Sequence, residues 1–112
     1  MLKCTIQILT GIEYNYWFIN DQEELVNITN LLDHCMIKEW APFDTLKPGY
    51  RSIRLQSKEN IWEIYNGSIN LTHKIYKQYS LIDDNRNLEK LLLNTAPKEM
   101  FNIINMINDF EF

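Results

Sequence analysis

Residues 51–79, RSIRLQSKENIWEIYNGSINLTHKIYKQY, decide the fold class. Asn66-Gly67 separates two β-rich runs, and both residues tolerate the positive φ that a type I′ hairpin turn demands. The spacing predicts a strand Ile61–Tyr65 that reverses there into an antiparallel run Ser68–Tyr79. Upstream, Ile53 and Leu55 alternate with Arg54 and Gln56, and Ser57-Lys58-Glu59-Asn60 supplies the turn into Ile61. Strands joined by turns this short pair antiparallel, because a parallel pair needs a crossover of a dozen or more residues.

The pattern extends outward in both directions. Leu2, Cys4, Ile6 and Ile8 alternate with Lys3, Thr5 and Gln7, the period of a half-buried strand, and Thr10-Gly11 reads as a turn into a second strand, Ile12–Ile19. That strand carries apolar residues on both sides. Tyr16 and Phe18 fall on one and Trp17 and Ile19 on the other, the mark either of a central strand covered on both faces or of an aromatic patch open to a partner. Asp21 followed by Glu24 resembles a capping box, and Leu25, Ile28, Leu32, Cys35 and Met36 recur at helical spacing, so a helix is expected over 21–37. Pro42 and Pro48-Gly49 mark 38–50 as an irregular connection anchored by Trp40 and Phe43. A short helix bearing Leu88, Leu91 and Leu92 follows Asp83-Asp84-Asn85, and a second runs from Pro97 through Met100, Phe101, Ile103, Ile104, Ile107 and Phe110. The order ββαβββαα implies an α+β fold, a largely antiparallel sheet with helices packed against it.

At 112 residues, 46% hydrophobic and 23% charged, the chain has the size and composition of one globular domain covering residues 1–112. No run approaches the ~20 apolar residues that span a bilayer, and Lys3, Thr5 and Gln7 interrupt what a signal peptide would keep apolar, so a cytoplasmic protein without a membrane partner is expected. Cys4 and Cys35 lack the spacing of a metal or redox pair and read as two buried free thiols.

No catalytic motif emerges. Asp33-His34-Cys35 places a thiol beside an imidazole, but helix neighbours diverge by about 100° and do not face each other. Two histidines and two dispersed cysteines give no ligand periodicity, Asp83-Asp84 reads as a helix lead-in, and three scattered glycines form no phosphate loop. The chain is expected to be no enzyme and to need no cofactor or metal. An enzyme relying on His73 and a distant acid is the weakest alternative.

Charge is segregated instead. Residues 1–46 carry seven acids against Lys3 and Lys38, a net of −5; 47–80 carry six bases against Glu59 and Glu63, a net of +4; and 81–112 return to −3. Glu23, Glu24, Asp33, Glu39 and Asp44, with Trp40, are candidates for an anionic, aromatic-anchored surface that binds a basic protein, where charge speeds encounter and a buried aromatic slows release. The basic middle, Arg51, Arg54, Lys74 and Lys77 with Tyr76, suggests the alternative of a nucleic-acid or nucleoprotein-binding regulator of phage or mobile-element origin.

The chain also resembles the small immunity proteins of bacterial toxin systems, above all those of contact-dependent growth inhibition. The likeness lies in size, in an acidic aromatic first half, and in Ile61-Trp62-Glu63-Ile64-Tyr65-Asn66-Gly67-Ser68-Ile69 followed by Leu88-Glu89-Lys90-Leu91-Leu92-Leu93. It lies also in composition: Ile and Asn make up a quarter of the chain, and Lys outnumbers Arg 8 to 3, as AT-rich codons would give. The resemblance implies a cytoplasmic, non-catalytic inhibitor that occludes the active site or substrate groove of a cognate toxin domain, often a basic nuclease. The basic middle departs from a uniformly acidic mimic of nucleic acid.

Overall fold

A computed structural model describes residues 1–8, 15–41 and 51–100. Its elements are β1 (Leu2–Ile8), β2 (Asn15–Ile19), α1 (Gln22–His34), β3 (Met36–Lys38), β4 (Arg51–Gln56), β5 (Asn60–Tyr65), β6 (Ser68–His73), β7 (Lys77–Ile82) and α2 (Asn87–Asn94). The strands form one sheet in the order β2-β1-β4-β5-β6-β7-β3, and every neighbouring pair is antiparallel. The expected α+β class with a largely antiparallel sheet is therefore the observed one.

Alternation sets the layers. Cys4, Trp17, Ile53, Leu55, Trp62, Ile64, Ile69 and Leu81 lie in register on one face and are buried there with Ile28 of α1 and Leu88 and Leu92 of α2. The other face carries Lys3, Thr5, Arg54, Glu63, Asn70 and Ser80. β2 and β3 are the two edges and run in the same direction, and α1, about 20 Å long at 1.5 Å per residue, carries the chain from one towards the other across the buried face. At the far end of α2, Trp17 Nε1 donates to Thr95 Oγ1 at 2.8 Å, which ties the helix to the β2 edge.

Three expectations change. The helix ends at His34, not 37: Cys35 turns to extended backbone (φ −67°, ψ 135°), its N–H bonds Leu32 O, and Met36–Lys38 becomes a strand paired with β7. The run Ser68–Tyr79 is two strands, not one, separated by Lys74-Ile75-Tyr76, where Lys74 (φ 50°) and Ile75 (φ 70°) are left-handed. β2 is an edge strand rather than a covered central one, with Trp17 and Ile19 buried and Tyr16 and Phe18 exposed as an edge-to-face pair 5.8 Å apart. The expected turn at Thr10-Gly11, Ile12–Tyr14, the connection beyond Ala41 with Phe43 and Asp44, and the helix beyond Met100 lie outside the described residues.

The Asn66-Gly67 hairpin is as expected, with φ 44° and 85° and Ser68 opposite Tyr65. A Cβ on Gly67 would meet only the Asp83 carbonyl oxygen at 3.7 Å, an ordinary contact, so the penalty of a side chain there is conformational. Gly67→Ala should therefore destabilise the protein by about 1–2 kcal/mol in urea denaturation, while Asn66→Gly should cost less than half of that.

Candidate functional site

At the β7–β3 edge the sheet reaches past its helices. Ile37 pairs with Leu81 and Tyr79 with Leu71, so both point to the helix-bearing face, yet they remain 70% and 36% exposed. Met36, on the opposite face of the same edge strand, is 64% exposed. Trp40 follows at the end of β3, and the next residue is held by its N–H donating to Ser80 Oγ at 2.9 Å. Four large apolar side chains thus line one open edge, where the backbone of β3 has a sheet partner on one side only among the described residues. Asp33 in the last turn of α1 and Glu39 after β3 flank them, both exposed, with Asp84 near enough to Cys35 to act on its thiol. An apolar edge flanked by acids suits a protein surface better than a small molecule.

Of the residues singled out in the sequence, Asp33, Glu39 and Trp40 lie along this edge, Asp33 before the end of β3 that pairs with Ile82 and Glu39 and Trp40 beyond the other end. Glu23 and Glu24 do not. They occupy the first turn of α1, about 15 Å along the axis from Asp33, where Asp21 caps the helix by accepting the Glu24 N–H at 3.0 Å. Asp44 lies outside the described residues. Ile37, Met36 and Tyr79 went unmarked in the sequence; their alternation placed them on faces, but only the reach of the helices shows that they stay open.

The basic residues are dispersed. Arg54 is half-buried in mid-sheet directly across from Glu63, whereas Lys74, Tyr76 and Lys77 sit at the β6–β7 tip, two strands away. Lys74 Nζ lies 3.8 Å from Glu59. The Lys74–Glu59 pair offsets one of these charges at the surface.

The groups with chemical potential are held in structural roles. Asp83 and Glu89 form a buried carboxylate pair that no sequence spacing had marked. Both Asp83 oxygens are occupied, accepting the N–H of Leu88 at 2.7 Å and of Glu89 at 3.1 Å, and Glu89 pairs with Arg86. Two successive left-handed residues, Asn85 and Arg86, coil the chain so that Asp83 reaches the start of α2 from outside it. Asp83-Asp84 is thus a helix lead-in, as expected. His73 Nδ1 donates to Asn60 Oδ1, an amide rather than a carboxylate. His34 faces outward, its Nδ1 donating to Asn30 O at 2.6 Å. Among the described residues no three His, Cys, Asp or Glu side chains group as metal ligands would, and no helix is long and apolar enough to cross a membrane.

Cys4 is buried as expected, but Cys35 is only half-buried, its Sγ donating to Leu31 O at 3.1 Å. Burial pushes the Cys4 thiol far up, and burial followed by the charges of Asp83 and Asp84 raises Cys35. An activated nucleophile needs the opposite shift.

Neither protein-family models, curated proteins nor solved structures give a match to this chain.

Two outcomes follow from these environments. In the folded protein at pH 8, Cys4 should resist a thiol reagent and Cys35 should react about 10-fold or more slowly than free cysteine, both becoming fully reactive in denaturant. Desolvation raises the Asp83 carboxyl despite its two N–H bonds. A group raised on folding stabilises most below its unfolded pKa, and that stabilisation is lost as pH rises through the folded value. The stability of the wild type minus that of Asp83→Asn should therefore fall as pH climbs from about 3.5 towards neutrality, read from denaturation midpoints.

Proposed function

We propose that this chain is a non-catalytic immunity protein that binds a cognate toxin domain through the β7–β3 edge and neutralises it by occlusion, in the cytoplasm and without a cofactor. The observation that carries this reading is the open edge itself: Met36 on one face, Ile37 and Tyr79 on the other, and Trp40 beyond β3, all exposed, with Asp33 and Glu39 at the two ends of the strand. A monomer gains nothing from leaving these side chains wet, and burying the most exposed of them, Met36 and Ile37, against a partner is worth up to about 1.5–3 kcal/mol each. The acids select a partner with a basic rim, the charge character of a domain that handles nucleic acid. The placing of Cys4 in the core and of Asp83 and Glu89 at the start of α2 agrees with a protein that acts by contact.

The test is co-expression with the polypeptide encoded immediately upstream in the same locus, followed by affinity purification and growth measurement. A stoichiometric complex, together with rescue from toxicity, is the expected result; a toxic neighbour that neither binds nor is rescued would refute the reading. Within a complex, Asp33→Lys with Glu39→Lys should lower the association rate on the order of 10-fold at low salt and much less at high salt. Reversing Glu23 and Glu24 should have a smaller effect. Trp40→Ala should act on dissociation, raising its rate about 30-fold, the equivalent of a 2 kcal/mol anchor.

A further inference from the structure

The β6–β7 turn is built against the usual rules. Its three residues, Lys74, Ile75 and Tyr76, include no Gly, Asn, Asp or Pro, although Lys74 and Ile75 both have positive φ. A β-branched residue at φ 70° is a genuine outlier, since its Cβ substituents crowd the backbone there. Ile75 and Tyr76 are also the two most exposed large hydrophobics among the described residues, at 85% and 88%. The chain uses Asn66-Gly67 for the β5–β6 hairpin, so this turn carries an apolar pair where a relaxed polar one would serve. The neighbouring Ser57–Glu59 turn braces it, Glu59 O accepting the Lys74 N–H at 2.9 Å while the Glu59 carboxylate faces Lys74 Nζ. Lys58 and Lys77, exposed beside the pair, leave the tip with surplus positive charge on a chain whose net charge is −4.

We infer that this tip is a preformed finger: Ile75 and Tyr76 enter an apolar pocket of the partner protein, and Lys58 and Lys77 meet carboxylates on the pocket rim. The inference rests on the immunity reading and adds to it the part of the surface that does the blocking. Continuity supports it. The tip opens β7, whose Ser80 lies opposite Lys38 of β3, so it stands about 10 Å along the strand from the Trp40 edge, and one partner can cover both. A carboxylate-rimmed pocket within an otherwise basic partner is what a hydrolytic cleft offers, and a finger seated there excludes substrate.

Strain distinguishes this occupant from others. Holding Ile75 left-handed fixes the direction of both side chains, which improves binding only where the receiving surface has a fixed shape. A fluid bilayer would accept Ile and Tyr in any turn conformation. An unpaired nucleic-acid strand would stack on Tyr76 without requiring Ile75.

The test uses full-length wild type, Ile75→Asn and Tyr76→Ala, with the purified upstream-encoded polypeptide as probe. Asn tolerates the left-handed region, so Ile75→Asn should raise the melting temperature by roughly 4 °C. The same substitution should weaken the complex, and Tyr76→Ala should raise Kd about 30-fold or more. A variant that folds more stably and binds less well separates a functional strain from a structural one. Wild-type binding with both variants equally tight overturns the finger and leaves the immunity reading standing. Absence of any wild-type complex with a toxic upstream product overturns both. Parallel measurements with vesicles of equal phosphatidylglycerol and phosphatidylcholine, and with a fluorescent oligo-dT, complete the set. Binding to either one that is lost in Tyr76→Ala, with the protein complex unaffected, would overturn the inference in favour of lipid or nucleic acid.

Discussion

Asp83 is where the layers of this protein are joined. Its backbone N–H donates to Gly67 O at 2.9 Å, fixing the end of β7 against the β5–β6 turn, and its carboxylate accepts the Leu88 and Glu89 amides in the first turn of α2. The direction of α2 over the sheet follows from that cap. Leu88 and Leu92 then join the core that holds Ile64 and Ile69, and Thr95 arrives beside the indole of Trp17 at the opposite edge. A buried carboxylate is costly unless its hydrogen bonds are satisfied, and here the unpaired amides of a helix start satisfy them.

The two edges of the sheet differ in how they meet solvent. At β2 the buried face is fully engaged, with Trp17 and Ile19 in the core, and only Tyr16 and Phe18 lie open on the other side, with Lys3 Nζ 4.7 Å above the Tyr16 ring. At β3 neither face is covered. Natural sheets protect their edges with charge and brevity, and β3 has both, being three residues long and ending at Lys38 next to Glu39. Short and flanked by charge, it does not invite a second copy to continue the sheet, and side-chain contacts remain the available mode of docking.

Much of the fold was legible because its signals are local. The period-two runs and Asn66-Gly67 fixed an antiparallel sheet, and Leu88, Leu91 and Leu92 fixed a helix, without reference to distant residues. What escaped depended on partners remote in the chain. Met36 continues the apolar spacing of α1, so nothing local announces that it leaves the helix to pair with Ile82. Lys74-Ile75-Tyr76 has the composition of a strand and bends only within the assembled hairpin. Tyr16 and Trp17 made β2 look doubly covered because aromatics on both sides do not reveal which side has a neighbour. At the candidate site, Asp33, Glu39 and Trp40 were legible as flanking one segment because they lie within eight residues of one another. Asp83 and Glu89 were not, since the coil that brings them together needs Arg86 left-handed after Asn85, and nothing in Arg announces that.

The strand order also sets a timetable for synthesis. β1 and β2 are made first and can pair with each other, but β1 waits for its second neighbour until β4 is complete at Gln56, and β3 waits for β7 until Ile82. From Arg51 onward each strand pairs with the one just made, so the second half of the sheet assembles as it emerges from the ribosome. The first half spends that interval with Cys4, Trp17 and Ile19 uncovered. α2, whose end meets Trp17 through Thr95, comes later still, so a chain cut short before Asn87 would present its aromatic edge to the chaperones and proteases that inspect unfinished proteins.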